Sequence, residues 1–255
     1  MRSIWNGTIS FGLVSIPIKL YSAVQESTLD LDMLDGSDHA RIHFMRVNEK
    51  THKEVPYEKI VKGYKLNDEY VILEDQDFAD AAPEKSKSID IENFVKVDDI
   101  SPMLFETSYY AEPSKAGQKA YMLLLEALKK SKMAGLGQFV LRQKEHLCVI
   151  YAQNEVIVIS RIRFQQEIRD SSEVEVDHGI NISKKELDVA MTLIKQYTTD
   201  FDIEQYKDTY TDDLLKIIKA KAKGKRPTIK KLTPPKPKSD DLYEQLMESL
   251  NKKGA

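Results

Sequence analysis

A chain of 255 residues, 41% hydrophobic with 8 Phe, 12 Tyr and one Trp, can bury the core of one large or two modest domains. No apolar run approaches the roughly 20 residues of a spanning helix, the start "MRSIWNG" lacks the apolar stretch of a signal peptide, and the lone Cys148 excludes an internal disulfide, so a soluble, cytoplasmic protein is expected. The formal net charge is −3, yet "KIIKAKAKGKRPTIKKLTPPKPK" (216–238) holds ten Lys/Arg and no acid, which leaves the other 232 residues at −13.

Along the first 165 residues the patterns are mainly those of strands. "ISFGLVSIPIKLYSAV" (9–24) is rich in β-branched residues and broken by Gly12 and Pro17. "ARIHFMRV" (40–47) alternates Ile42, Phe44 and Arg46 against Arg41, His43 and Met45, the period of two of a strand. "EYVILE" (69–74) and "SIDIENFV" (88–95) are further short strands. One helix interrupts them at 114–132, with Ser114 as its cap and Tyr121, Leu124, Leu125 and Leu128 on one face. Two strand-like runs within 137–164 flank "AQNE", and Gln153-Asn154 suits a tight hairpin turn. Cys148, in "HLCVIY", is expected to be a buried small residue.

Beyond about residue 178 helices take over. "SKKELDVAMTLIKQYT" opens with Ser183 and Glu186 at capping-box spacing and carries Leu187, Met191 and Ile194 on one face. "TDDLLKIIKAKA" offers Thr211 as cap, acids in its first turn and lysines in its last. Pro227, Pro234, Pro235 and Pro237 then prevent regular structure. In "SDDLYEQLMESLNKK" (239–253) Ser239 is the expected cap of a helix striped with Leu242, Tyr243, Leu246, Met247 and Leu250. No internal repeat is evident.

Motifs of catalysis are missing. Gly224-Lys225 has no glycine six positions before it, as a phosphate-binding P-loop requires. "DLDMLDG" (30–36) misplaces an acid and its glycine for a calcium loop. The five histidines form no HExxH and have no cysteine partners. A metal site from Asp35, Asp38, His39 and His43 competes with a polar surface loop. No catalytic residue, metal or cofactor is therefore assigned.

Basic groups carry the positive signal. Lysines spaced along a proline-rich coil can lie on a polyanion without fixed register, and such binding is salt-sensitive and blind to sequence. Lys221, Lys223, Lys225, Arg226, Lys230, Lys231, Lys236 and Lys238 are the candidates, against a merely solvated tail. In the hairpin, pairing Ala152 with Glu155 sets Lys144 opposite Arg163 and His146 opposite Arg161, with Arg142 on the same face. Like charges directly opposite destabilise a sheet, so this face is either built for an anion or relieved by acids from elsewhere. Lys129, Lys130 and Lys132 end the preceding helix, where they also complement its C-terminus.

"IWNGTISFGLVSIPIKLYSA", "YEKIVKGY" (57–64), "IDIENFV" (89–95), "YYAEP" (109–113) and "GQFVLRQKEHL" (137–147) follow one another in this order. Together they resemble the bacterial Ku proteins, the DNA-end-binding factors of non-homologous end joining. The likeness extends through "KELDVAMTLI" (185–194) and "DLLKIIKAKAKGK" (213–225). The tail departs from it: a short extension replaces long Lys/Pro/Ala repeats and ends in an amphipathic helix. The resemblance implies an α+β, strand-dominated fold: a β-barrel core (1–178) whose extended strand arm forms a dimeric ring, a small helical region (179–224) and a basic extension (225–255). It also implies a nucleoid-associated homodimer that encircles double-stranded DNA ends, recruits a multifunctional ATP-dependent DNA ligase and has no catalytic residues. On that reading Arg41, Arg46, Lys53, Lys59, Lys62 and Lys65 of the arm join Lys132, Arg142, Lys144, Arg161 and Arg163 as DNA contacts. Leu187, Met191, Leu214, Leu242 and Leu246 are candidates for docking the ligase. A general nucleic-acid-binding accessory protein that works mainly through its tail, and a hydrolase with a composite carboxylate or histidine site, are the competing readings.

Overall fold

The computed structural model describes residues 1–81, 87–141, 144–225 and 241–253. By internal contacts the chain divides into a first unit, 1–26 with 31–170, and a second, 27–30 with 171–255.

The first unit is built on a closed barrel of seven strands. β1 (Trp5–Phe11) and β2 (Val14–Ser22) form a hairpin that turns at Gly12, whose φ of 59° is open to glycine without a Cβ clash. After an inserted arm come β5 (Ser88–Lys96), β6 (Phe105–Pro113), a helix, and the meander β7 (Met133–Leu141), β8 (Lys144–Gln153) and β9 (Val156–Ile162). The order around the barrel is β1-β2-β6-β9-β8-β7-β5, closed by parallel pairing of β5 with β1. Pro17 does not break β2, contrary to the sequence reading. It sits opposite Thr8, one residue before pairing with β6 begins at Ile18, so that ladder does not call on its missing N–H.

Inward residues of the strands meet in one apolar core: Ile9, Ile16, Ile18, Leu20, Ile89, Phe139, Ile150, Ile157 and Ile159 are all buried. Cys148 is among them, as expected, and burial pushes its thiol up to about 12. The helix α2 (Gln118–Ser131) adds Tyr121, Leu124, Leu125 and Leu128, the face read from the sequence. Its start differs from that reading. Ser114 makes no capping bond, and a single 3-10 turn at Lys115–Gly117 leads into the helix instead. Tyr121 then ties two strands together, its hydroxyl donating to Ala111 O at 2.7 Å and accepting from Ile157 N at 2.8 Å. A second, smaller core on the other face gathers Ala134, Val149 and Ile162. β8 is thus buried on both faces, which explains its unbroken apolar run.

The arm occupies the chain between β2 and β5. "ARIHFMRV" forms no strand ladder. Isolated bridges, Leu34 to Arg41 and Val47 to Glu54, close two turns instead. These turns form a short repeat, with Asp35 matched by Asn48 and His39 by His52, that the sequence reading missed. In the first, Asp35 N donates to Ala40 O and His39 N to Asp35 O; in the second, Asn48 N donates to Lys53 O and His52 N to Asn48 O. His39 and His52 hold matching left-handed conformations, with φ of 59° and 51°. The alternation of 40–47 therefore reflects extended backbone joining two turns. β3 (Lys62–Leu66) and β4 (Glu69–Leu73) follow as a separate hairpin, then the short helix α1 (Asp75–Ala81).

In the second unit, α3 (Lys184–Tyr197) begins with the expected capping box: Ser183 Oγ accepts from Glu186 N at 3.3 Å, and Glu186 Oε2 from Ser183 N at 2.7 Å. For α4 (Thr209–Lys221) the cap is Asp208, accepting from Thr211 N at 3.1 Å, so Thr211 lies inside the helix rather than before it. α5 (Leu242–Lys253) follows Asp241, which accepts from Glu244 N at 2.9 Å; Ser239 lies outside the described residues. α5 packs on α3. Along α3, Val189, Ala190 and Leu193 are partly buried, while the expected face of Leu187, Met191 and Ile194 is exposed. Among the described residues no helix is long and apolar enough to cross a membrane.

Candidate nucleic-acid interface

Two groups of basic side chains stand out in the first unit. The arm holds one. Arg46 lies over the Tyr57 ring at 5.2 Å and Lys62 over the Phe78 ring at 4.4 Å, contacts that orient a cation without neutralising it. Lys53 and Lys59 are exposed. Arg41 pairs with Asp32 at 2.5 Å and Lys65 with Asp68 at 2.7 Å, both largely exposed and hence weak pairs. Asp35 and Asp38 serve their own turn, accepting from Ser37 N and Ala40 N. No cluster of three or more His, Cys, Asp or Glu suited to a metal occurs among the described residues.

Large apolar residues accompany these cations. Phe44 is 81% exposed, Tyr70 69% and Tyr64 66%, with Ile42, Met45, Val61, Leu66, Val71 and Ile72 also exposed. In the β3–β4 hairpin, Tyr64 faces Val71 and Gly63 faces Ile72, so apolar side chains lie on both faces. A two-stranded hairpin is marginal alone in water.

The barrel holds the other group. The β8–β9 turn is Asn154-Glu155, with Asn154 at φ 53° and Gln153 opposite Val156, two residues away in register from the sequence expectation. A two-residue shift preserves faces, so Lys144, His146 and Arg161 still share one side. That side is the barrel interior, because Cys148 is the direct partner of Arg161 and belongs to the core. A bulge in β6 brings in a carboxylate. Phe105 pairs with Ile162 and Ser108 with Ser160, leaving both Glu106 and Thr107 opposite Arg161. Arg161 Nη2 donates to Glu106 Oε2 at 2.5 Å. Arg163 Nε stands 3.8 Å from Glu106 Oε1, and its Nη1 donates to Met103 O and Phe105 O. An acid from elsewhere thus offsets part of the like charge. Glu106 gave no signal in sequence, since a bulge has no marker there.

The Arg161 hydrogen bond holds the Glu106 carboxyl below its ordinary value of 4.5, against the opposing effect of burial. A depressed acid stabilises above its unfolded pKa and loses that contribution as pH falls through the folded one. Glu106→Gln is therefore expected to cost about 1–2 kcal/mol at pH 7 and to flatten the decline in stability below pH 4.5. Urea melts between pH 3 and 7 check both.

Of the other candidates, Lys132 caps α2 in a left-handed conformation, its N–H on Leu128 O. Lys221, Lys223 and Lys225 are exposed at and beyond the end of α4. Arg142, Arg226, Lys230, Lys231, Lys236 and Lys238 lie outside the described residues. Leu242 is exposed, and Leu214 and Leu246 are partly buried.

The family model described as the Ku70/Ku80 beta-barrel domain matches residues 10–189. The "Non-homologous end joining protein Ku" of Opitutus terrae is 38% identical over 259 residues, covering 100% of this chain and 93% of that protein. Those of Coxiella burnetii and Bacillus subtilis are 35% and 36% identical, each over 99% of this chain and over 95% and 82% of their own lengths. The barrel and its inserted arm thus match a family whose relatives span this sequence from end to end: the chain belongs to the Ku family.

Proposed function

We propose that this protein binds the ends of double-stranded DNA in non-homologous end joining, as a homodimeric ring without catalytic activity that recruits an ATP-dependent DNA ligase. The family and the names of its full-length relatives support the end-joining role. The observation that carries the ring is the arm, which exposes large apolar residues and basic ones along a single insertion between β2 and β5. Exposed apolar surface of this extent marks an interface. A second copy supplies a self-complementary partner by two-fold symmetry. Two arms so joined would close around a duplex and offer Arg46, Lys53, Lys59, Lys62 and Lys65 to its phosphates. Such contacts position the duplex without reading its sequence. Arg41 joins them where phosphate displaces Asp32. Arg161 and Arg163, shared with Glu106, are weaker candidates for a duplex backbone than the arm.

The tail is an accessory in this reading. Removing residues 225–255 is expected to weaken binding of linear duplex without abolishing it. If about five basic residues engage, the slope of log K against log salt becomes shallower by about 4–5. Complete loss of binding would instead favour the accessory-protein reading in which the tail is the main binder. For the ligase, the exposed Leu187, Met191 and Ile194 of α3 form the docking face we favour, ahead of Leu214, Leu242 and Leu246.

A further inference from the structure

One end of the barrel interior is polar, and its chemistry does not suit a duplex lying flat. A cavity of about 440 Å³ is lined there by Ile4, Ser22, Thr107, Tyr109, Leu141, Lys144, His146 and Arg161. That volume falls within the range of small-ligand sites, which favour the mouths of β-barrels. Its side chains come from β2, β6, β7, β8 and β9 and converge inward from the strands. A phosphodiester backbone running across the mouth could meet Lys144 at the rim. Only a small or terminal group could reach His146 and Arg161 as well.

The cations at this mouth exceed the acid available. Among the described residues, Glu106 bonds Arg161 and lies close to Arg163, while Lys144 acts on His146 beside Arg161 with no acid paired to it. His146 responds to that excess. Burial lowers its pKa first, Arg161 and Lys144 push the same way, and Glu106 and the Leu141 backbone oppose them. The ring of Phe139, at 6.0 Å, is apolar and contributes no charge. Donors are available for an anion: the Lys144 ammonium, the Thr107 and Tyr109 hydroxyls and, once His146 is protonated, its second imidazole N–H, the first being shared with the Leu141 carbonyl. Tyr109 interacts with Arg161 through its oxygen, which leaves its proton to donate. Ser22 is excluded as a donor, because its hydroxyl already donates to Val24 O at 2.6 Å.

We infer that the barrel mouth formed by Lys144, His146, Arg161, Thr107 and Tyr109 binds a phosphate monoester. A tetrahedral dianion matches both the surplus of positive charge and the several converging donors better than a second carboxylate would. The site stands on the barrel alone, so it does not require the ring, although a DNA 5′-terminal phosphate is one source of such a group. A soluble phosphorylated compound is the other.

The test is proton NMR of the histidines in the full-length protein, titrated with inorganic phosphate against chloride at equal ionic strength. A bound dianion favours imidazolium, so the His146 resonance, assigned with His146→Gln, is expected to titrate at higher pH in phosphate. Lys144→Ala is expected to weaken phosphate binding about tenfold or more, the loss of one charge-assisted hydrogen bond. Blunt duplexes with 5′-phosphate and 5′-hydroxyl ends then separate the sources. Displacement of inorganic phosphate by the phosphorylated duplex alone assigns the site to DNA ends. Displacement by neither duplex assigns it to a soluble ester. A His146 titration that phosphate leaves unchanged overturns the inference. Gel shifts of linear duplex on the same samples report separately on the end-binding function.

Discussion

Val71→Asp is expected to halve the solution mass, from twice 29.2 kDa to 29.2 kDa, and to remove end-selective DNA binding with it. Val71 lies opposite Tyr64 in the arm hairpin and is itself exposed. Nothing in the single chain pays for that exposure, so a carboxylate there should leave the monomer's fold intact. In a dimer the same carboxylate would be desolvated among apolar side chains. Burying an unpaired charge costs several kcal/mol, and about 3–4 kcal/mol weakens association roughly 150- to 1,000-fold. Sedimentation velocity with circular dichroism on the same sample separates dimer loss from unfolding. An unchanged mass would remove the β3–β4 hairpin from the interface.

Leu125→Ala is expected to have the largest effect on the fold itself. Leu125 is 0% exposed and joins α2 to the barrel core, whereas Leu123, two residues earlier, is 67% exposed. Truncating a fully buried leucine removes its transfer free energy and leaves a cavity, together about 2–5 kcal/mol. The Leu123→Ala control should change stability by less than about 0.5 kcal/mol. Urea denaturation of the two variants measures the difference. Comparable losses would mean that α2 is not held by the face described.

The parts legible in the sequence were those governed by local rules. The leucine face of α2 follows helical spacing, the Ser183–Glu186 capping box has a fixed signature, and the buried Cys148 sits in an unbroken apolar run. Tertiary context overrode other readings. Pro17 fits inside a strand because the neighbouring ladder starts just after it. "ARIHFMRV" has strand alternation but finds no adjacent strand, and its two flanking turns repeat both in backbone hydrogen bonds and in residue type, Asp35 and His39 matching Asn48 and His52. The β8–β9 register slipped by two because Asn154, not Gln153, takes the first turn position, with a left-handed conformation asparagine tolerates. The inward face of Lys144, His146 and Arg161 survived that slip, since two residues restore the pleat. Glu106 could not have been found, because the bulge that delivers it depends on how β6 meets β9.

The acidic balance of the body, −13 without the tail stretch, requires that its basic groups be segregated from its acids if it is to hold DNA. In the arm, Arg46 and Lys62 sit on aromatic rings, whereas Arg41 and Lys65 pair with Asp32 and Asp68. The ring we propose would select ends by topology, because a closed circle would offer it no point of entry. Competition for a labelled linear duplex tests this most directly, using unlabelled linear duplex and covalently closed circular duplex of the same sequence and salt. The ring predicts that linear competitor displaces the probe and that the closed circle competes poorly. Equal competition by the circle would contradict it.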